Sequence, residues 1–538
     1  MVREFHDDDE AIIIKNSQGE EEELPDLELD GGKTEAKIFN KQQAPLEESP
    51  FKVLLELEGV GSDEGRLGVD LVTILDISGS MRGPRLFKMK LAMQFLVQKL
   101  SITDRLSIVT FNRRAEKICP LRQITESSQT EIIDQVNDLA AKASTNTEAG
   151  LKLAMNILND RSRTKNRSAA IMLMSDGMED AESQAITVPV GEVPVYTFAF
   201  GNGSEHHEVL RGISKNSKRG TFSPVQDKDD LSVAFSTALA GLLNVSIEDL
   251  TLTVAPMNSS KLNKVYAGNY KQTNQATVME PVTVSFRSLY DRETRKVLAL
   301  LNLPKVDKRF GVQIFKVEFK YRVNGKDELE SDERIINVTR TDNKQIDAER
   351  AEVLAEEKRI GIASSITEAR ILADKKELAE ARKTLEDAGK SLTEIDAVLK
   401  AQVDHLHLLM ASQATYDSEG QAFALALEAT HESQRAVALP AGIPSGFETP
   451  LMEEFKKQAE LHTADPEGYK IPTPEEDKKA TAPPPPPVPK VVPETPSRQP
   501  EKGRALDYGQ EVFGFRRFMV GLGSTIVEKI IEHDGRAR

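Results

Sequence analysis

Nearly continuous apolar runs alternate with amphipathic helical segments along residues 67–244, and this alternation restricts the fold more than any other feature. The runs at 69–75 and 169–174 suit strands that are buried on both faces of a sheet. The segment from 84 to 100 places its apolar residues at helical spacing on one face. Strands that alternate with helices predict a mostly parallel sheet covered on both sides. We therefore expect a Rossmann-like, doubly wound α/β domain.

The segments on either side of this domain predict a second, β-rich part of the molecule. From residue 245 to about 342 the apolar period changes to two, which indicates antiparallel strands in a small β-sandwich-like domain. Residues 26–66 also read as strands but have no partner of their own. We expect them to join the later β-domain across the inserted α/β domain. Residues 343–437 are rich in Ala, Glu, Lys and Leu at helical spacing and predict an antiparallel helical region.

The two ends of the chain are expected to add little to a core. Residues 1–25 are acidic and predicted to be disordered, apart from the short apolar run at 12–14. Residues 438–511 are predicted to be a disordered, Pro-rich linker, since 12 of the 26 prolines lie between positions 462 and 501. The run at 483–490 could bind an SH3- or WW-type domain, although a plain spacer is the simpler interpretation. The apolar segment at 512–538 is expected either to dock on the core or to bind a partner.

Charge and composition exclude several classes of function. The formal net charge of −16, without a large basic block, argues against nucleic acid or an anionic membrane as the main partner. The only cysteine, Cys119, permits neither a disulfide framework nor a Cys-based zinc site, and it is expected to be buried in a strand. No run approaches the roughly 18 apolar residues of a membrane span, and the charged N-terminus is unlike a secretory signal. We expect a cytoplasmic protein, with a nuclear location as the alternative and secretion excluded.

Oxygen-bearing side chains follow two of the predicted buried strands. Asp76, Ser78 and Ser80 come directly after the first strand, at the edge where open α/β sheets bind ligands. Thr145 precedes a predicted helix and Asp176 follows the strand at 169–174, so both fit the same edge. Carboxylate and hydroxyl oxygens suit Mg²⁺, with Mn²⁺ or Ca²⁺ as alternatives. A simple helix-capping turn is the competing interpretation of the Asp-x-Ser-x-Ser segment.

In this order, Asp76-x-Ser78-x-Ser80, Thr145 and Asp176 resemble the metal-ion-dependent adhesion site, or MIDAS, of the von Willebrand factor A (vWA) family. The resemblance covers about residues 67–244. Over roughly 26–430 the chain is also similar to plant vWA proteins related to inter-alpha-trypsin inhibitor heavy chains. Some proteins of that group carry a RING zinc module and act as ubiquitin ligases. A chain with one cysteine cannot supply the ligands of a RING.

The resemblance implies a role for each residue of the motif. Ser78 and Ser80 would bind the metal directly, Asp76 and Asp176 would act mainly through bound waters, and Thr145 would bind directly when the site is engaged. The open position would take a Glu or Asp from a protein partner. The family often has Gly-Gly before the threonine, whereas this chain has Ala143-Ser144, which predicts a stiffer loop.

These observations favour a metal-dependent protein-binding or scaffold protein, which is not expected to be an enzyme. One alternative is a non-RING member of a ubiquitin-ligase-like vWA family that recruits substrates or pairs with RING-bearing relatives. An enzyme that uses the metal as a Lewis acid ranks last, because no general base or cofactor motif accompanies the site. A nucleophilic role for Ser78 is also disfavoured, because it lacks a suitable histidine and the Gly-x-Ser-x-Gly context.

Overall fold

A computed structural model describes most of residues 10–481. The gaps are residues 16–20, 24–32, 62–65, 143, 166, 177–183, 202–203, 218–219, 226–230, 274–278, 324–325, 327, 344–346 and 441. The strands are β1 (Ile13–Lys15), β2 (Glu21–Glu23), β3 (Lys33–Phe39), β4 (Gln43–Pro45), β5 (Ser49–Val60), β6 (Gly68–Asp76), β7 (Arg105–Phe111), β8 (Ala115–Gln123), β9 (Arg167–Ser175), β10 (Val195–Phe200), β11 (Phe222–Val225), β12 (Val245–Pro256), β13 (Lys261–Tyr266), β14 (Lys271–Gln272), β15 (Val282–Tyr290), β16 (Thr294–Leu303), β17 (Phe310–Arg322), β18 (Leu329–Glu330) and β19 (Arg334–Thr341). The helices are α1 (Pro84–Lys99), α2 (Glu126–Asn137), α3 (Thr147–Asn159), α4 (Ser204–Asn216), α5 (Leu231–Leu242), α6 (Ala351–Asp374), α7 (Leu378–Gly389), α8 (Ala397–Leu409), α9 (Gln413–Thr415), α10 (Gln421–Ser433), α11 (Pro450–Ala464) and α12 (Pro474–Thr481).

The α/β domain is built on a six-stranded sheet with the order β11-β10-β9-β6-β7-β8. All neighbouring pairs are parallel except β7 and β8, which are antiparallel. Every residue of β6 is buried, because alternate side chains enter the apolar layers on opposite faces of the sheet. Helices α1 and α5 cover one face, and α3 and α4 cover the other. The predicted doubly wound fold is confirmed, and Cys119 is buried in β8 as expected.

The β-domain consists of two sheets that enclose one apolar core. The larger has the order β14-β15-β12-β17-β19-β4, with β18 paired to β17, and the smaller has the order β13-β16-β5-β3. Strand β5 precedes the α/β domain in the chain but pairs along its length with β16, which follows that domain. The chain therefore leaves the β-domain, forms the α/β domain and then returns to the sheets it left.

Helices α6 to α10 form a helical region with an apolar core of its own. Helix α6 also packs on the small sheet of the β-domain, where Val353 contacts the apolar cluster of Leu54 and Leu298. Lys52 of β5 pairs with Glu357 of α6 at 2.6 Å. Among the described residues, no helix has the length and apolar character needed to cross a membrane.

The prediction of a disordered linker over residues 438–511 is wrong for much of 450–481, where the chain forms α11 and α12. Prolines 450 and 474 each stand at the first position of a helix, where the missing N–H is not needed. Phe455 of α11 packs against Phe95 of α1, with 5.9 Å between ring centroids. Lys99 Nζ of α1 lies 2.7 Å from Asp477 Oδ2 of α12. The SH3/WW candidate at 483–490 and the apolar segment at 512–538 lie outside the described residues.

The prediction of disorder for residues 1–25 is wrong for the two short strands β1 and β2, which form a hairpin. Strands β1 and β2 pair antiparallel, and Ile12 beside them is buried. Gln123 at the end of β8 holds the hairpin, because its Nε2 donates to Ile13 O at 2.7 Å and its Oε1 accepts from Ile13 N at 3.1 Å. The apolar run at 12–14 therefore provides contacts that its acidic surroundings do not reveal.

Candidate metal centre

Asp76 is the last residue of β6, the central strand that has neighbours on both sides. It lies in register with Phe111 at the end of β7. The loop after it stays close to the sheet, because Ile77 N donates to Phe111 O at 3.0 Å and the Met81 side chain is fully buried. The loop ends at Gly83, whose φ of 84° suits glycine, and α1 begins at the next residue.

Both oxygens of the buried Asp76 carboxylate accept hydrogen bonds. Ser78 N donates to Oδ1 at 2.7 Å, and Ser175 Oγ donates to Oδ2 at 2.7 Å. The Ser78 and Ser80 hydroxyl oxygens are 3.0 Å apart, with Ser78 buried and Ser80 partly exposed. No side chain of this loop makes a capping hydrogen bond, either to α1, whose N-cap is Gly83, or to the 3-10 turn Gly79–Met81, whose N-cap is Ser78. The fold thus brings one carboxylate and two hydroxyls together on a single short loop.

Thr145 lies on the loop that joins α2 to α3, and this loop is tied to the first. Lys142 N donates to Ile77 O at 2.6 Å, and Thr145, three residues later, is buried. Helix α3 can approach the sheet closely because Gly150 faces Ile74, where a Cβ would lie 2.9 Å from Cγ2. The first turns of α3 therefore pack on β6 two residues before Asp76, and Thr145 comes just before this helix.

Ser144 has a φ of 72°, in the left-handed region that favours glycine. This is the position where the resemblance noted above leads one to expect glycine rather than serine. The structure thus places backbone strain directly before Thr145. Ala143 lies outside the described residues.

Asp176 follows β9, beside Ser175, and its side chain is buried. Arg85 Nη1 of α1 donates to Asp176 Oδ2 at 3.1 Å. The Arg85 guanidinium also fills the space above Gly201, where a Cβ would lie 2.6 Å from Nη2. The sequence did not single out Arg85 or Ser175. Ser175 could have been noticed as the neighbour of Asp176, whereas no local pattern marks Arg85.

Burial raises the pKa of Asp76 from 3.8 to about 6, despite the lowering effect of the hydrogen bonds from Ser175 and Ser78. The negative charge of Asp176 raises it further. Arg85 forms an ion pair with Asp176, whereas the Asp76 carboxylate is held by the hydrogen bonds from Ser78 and Ser175.

The chemistry of these donors fits a hard divalent cation. Carboxylates and hydroxyls are the oxygen ligands that Mg²⁺ accepts, and a cation beside Asp76 would offset its buried charge. Among the described residues, no group of three or more His, Cys, Asp or Glu side chains could hold a metal. A metal at this edge would therefore depend on the hydroxyls as much as on the carboxylates.

Two family models match the chain. The von Willebrand factor type A domain matches residues 70–237, which include the strand ends described above. The VWA / Hh protein intein-like model matches residues 391–461, which run from the helical region into α11.

Similar proteins support the first match. The chain is 28% identical over 256 residues to the "E3 ubiquitin-protein ligase WAV3" of Arabidopsis thaliana, covering 47% of this chain and 33% of WAV3. It is 26% identical over 289 residues to the "Uncharacterized protein sll0103" of Synechocystis sp., covering 52% of this chain and 64% of that protein. The chain thus spans from a third to just under two thirds of the length of these relatives.

A solved structure shows the same fold. The "von Willebrand factor type A from Catenulispora acidiphila" superposes with a TM-score of 0.55 at 14% identity and covers 76% of this chain and 98% of its own. At this identity the likeness concerns the fold alone. The matched family model identifies residues 70–237 as a von Willebrand factor type A domain, and the doubly wound sheet is the fold that the solved structure shares.

Proposed function

We propose that this chain is a metal-dependent protein-binding module. In this proposal Asp76, Ser78, Ser80, Thr145 and Asp176 bind Mg²⁺, or Mn²⁺ or Ca²⁺ in its place, and the metal holds an Asp or Glu of a protein partner. The observation that carries the proposal is the buried Asp76 carboxylate on the same short loop as the Ser78 and Ser80 hydroxyls. A cytoplasmic location is part of the same proposal.

The donor set explains why a bound metal would attract an external carboxylate. Ser78, Ser80 and Thr145 are neutral, so they reduce the positive charge of a metal less than carboxylates would. The Asp76 carboxylate accepts hydrogen bonds from Ser78 N and Ser175 Oγ, and these two bonds fix the orientation of its oxygens. Asp176 shares its charge with Arg85. The metal would supply an open, electrophilic position, and an acidic side chain is the matching ligand.

Metal binding is the first result to test. We expect isothermal titration of the full chain with Mg²⁺ or Mn²⁺ to show one site that is lost in Asp76→Ala/Ser78→Ala. At a hundredfold excess over Kd the metal should stabilise the wild type by about 2.7 kcal/mol and leave the variant unchanged. Asp332→Ala, at an exposed carboxylate of the β-domain, is the control and should bind metal normally. Equal binding by wild type and double variant would refute the site assignment.

The raised pKa of Asp76 predicts opposite pH effects with and without metal. Without metal, the folded-state pKa of about 6 exceeds the ordinary 3.8, so protonation stabilises the fold by up to about 3 kcal/mol. That stabilisation is fully present below pH 3.8 and is lost as pH rises through about 6. Because metal requires the carboxylate, we expect Mg²⁺ affinity to fall as pH drops below about 6.

Two measurements check this pH dependence. Metal titrations at about pH 7.5 and about pH 5 should differ in affinity by roughly tenfold. When a chelator keeps the protein metal-free, Asp76→Asn should remove the part of the pH dependence of the unfolding free energy that comes from Asp76. Mg²⁺ affinity that stays constant between the two pH values would contradict the prediction.

Similarity to WAV3, whose name describes an E3 ubiquitin-protein ligase, favours a second candidate function. In that case the chain would recruit substrates for, or pair with, a RING-bearing relative. Recombinant WAV3 is a direct probe of this second candidate function. We then expect the two proteins to co-purify, and the chain to increase ubiquitin transfer to a protein that it binds. If the chain binds metal but has no effect in this assay, the first candidate is favoured.

A further inference from the structure

We propose that the partner of the metal centre is an acidic protein segment, in which the carboxylate that reaches the metal is flanked by further Asp or Glu residues. These flanking residues would contact four cationic side chains beside the centre, which we call the basic rim: Arg82, Arg113, Arg114 and Lys142. The inference rests on the proposed function and adds the class and orientation of the partner.

Two residues of the basic rim lie on the turn next to Asp76. Phe111 is in register with Asp76, and the turn that follows Phe111 joins β7 to β8. The turn is tight, since Asn112 N donates to Arg114 O at 3.1 Å. Arg113 and Arg114 are both exposed. Their guanidinium groups are thus presented to solvent just beyond the strand end that carries the metal centre.

The other two residues come from the loops that form the centre itself. Arg82 is two residues beyond Ser80, and its backbone N donates to Gly79 O at 3.3 Å. Lys142 is tied by its backbone N to Ile77 O at 2.6 Å. Both side chains are exposed. Three separate loops at this edge of the sheet therefore carry exposed cations.

The basic rim has little internal compensation. Across the described part of the chain, no carboxylate forms an ion pair with Arg82, Arg113 or Arg114. Lys142 Nζ lies 3.8 Å from Glu116 Oε2, and both side chains are more than half exposed, so solvent screens this pair. The whole chain has a net charge of −16, so a cluster of exposed cations at this edge contrasts with the net charge of the rest of the chain.

The position of the basic rim also gives the partner an orientation. Strand β7 lies on one side of β6 and β9 lies on the other. Arg113 and Arg114 follow β7, whereas on the side of β9 the described cation Arg85 is already paired with Asp176. We therefore expect the acidic neighbours of the metal-bound residue to point toward β7.

An acidic protein segment fits this surface better than a nucleic acid. The rim has four cations beside one metal position, which matches a short run of carboxylates rather than a long phosphate backbone. A long polyanion would also be repelled by the net negative charge of the rest of the chain. Complementary charge beside an anchoring contact mainly increases association rate and specificity.

A defined peptide tests this proposal with the full chain. Fluorescence anisotropy would compare a labelled deca-glutamate peptide with a Gly/Ser peptide of equal length that carries one Glu, each in Mg²⁺ and in chelator. In Mg²⁺ we expect deca-glutamate to bind at least about tenfold more tightly than the single-Glu peptide. Arg113→Glu/Arg114→Glu should abolish this preference.

Lys308→Glu/Arg309→Glu is the matched control, because it makes the same charge change at two exposed residues between β16 and β17. It should keep the preference for deca-glutamate. The rim variant should also keep Mg²⁺ binding in isothermal titration, which shows that the fold and the metal centre are intact.

The possible results separate this inference from the proposed function. If the wild type does not bind Mg²⁺, the proposed function fails and this inference fails with it. If Mg²⁺ binds but the two peptides bind equally, or the rim variant keeps the preference, only this inference is overturned. This inference is also overturned if deca-glutamate binds the wild type as tightly in chelator as in Mg²⁺. Tighter binding of a labelled oligonucleotide, lost in the same rim variant, would assign the surface to nucleic acid instead.

Discussion

Asp70→Ala is expected to lower the free energy of unfolding by about 3–5 kcal/mol, because it leaves buried arginines without their shared carboxylate. Asp70 lies near the start of β6 and is fully buried. Arg105 donates to it through Nε and Nη2 at 2.8 and 2.7 Å, and Arg167 Nε donates at 2.7 Å. Arg161 pairs with the same carboxylate. Urea unfolding followed by circular dichroism would measure the loss.

The pKa of Asp70 predicts how this loss depends on pH. Burial alone would raise the pKa, but the hydrogen bond from Arg105 and the charge of Arg167 outweigh it and lower the pKa below 3.8. A lowered folded-state pKa gives stability that is present at neutral pH and is lost as pH falls through that value. The difference between Asp70→Ala and wild type should therefore shrink in acid. Asp332→Ala, at an exposed site, should change stability by less than about 0.5 kcal/mol, and an equally mild effect of Asp70→Ala would contradict the prediction.

Glu293→Gln is expected to destabilise the chain by a similar amount, about 3–5 kcal/mol, at the contact between the β-domain and the helical region. Arg435, which follows α10, donates to the two Glu293 carboxylate oxygens at 2.8 and 2.9 Å. Arg295 Nη2 lies 3.0 Å from Glu293 Oε2. The substitution keeps the volume of the side chain but leaves both buried arginines without a countercharge.

The contact also reaches the vWA domain, which gives the prediction a second readout. The Arg435 guanidinium lies 4.0 Å from the centre of the Tyr290 ring, and Tyr290 Oη is 3.3 Å from Tyr196 Oη of β10. Hydrogen exchange should therefore show faster exchange near residue 435 in Glu293→Gln as well as a lower unfolding midpoint. Glu280→Gln, at an exposed residue of the β-domain, is the control. Exchange and midpoint equal to wild type would refute the assigned role of Glu293.

The sequence was sufficient to predict the features that depend on local pattern. Continuous apolar runs and helical spacing predicted the order of strands and helices around β6, because burial on two faces selects such runs. The positions of Asp76 and Asp176 directly after two of these runs predicted that they would share one edge of the sheet.

Features that depend on distant contacts were not predictable. Arg85 is one of many helical arginines, and only the folded chain shows that its guanidinium meets Asp176. The Asp70 arginines come from β7, from β9 and from the loop before β9, positions that no single periodicity connects. Helix α11 was not predicted because it lies in a segment that was interpreted as a Pro-rich linker, although its only proline, Pro450, stands at the helix start, which accepts proline. These failures share one cause: the partner that gives each residue its role lies far away in sequence.

The pairing of β5 with β16 has a consequence for how the protein is made. Leu54 pairs with Leu298, so β5 leaves the ribosome about 240 residues before its partner strand. At roughly 5–20 residues per second, synthesis of the intervening chain takes about 12–50 s. During this interval the apolar residues of β5, among them Val53, Leu55 and Leu57, have no sheet to cover them. The vWA domain can complete its own core first, so we expect the nascent chain to carry a folded vWA domain beside an uncovered strand that a chaperone would protect.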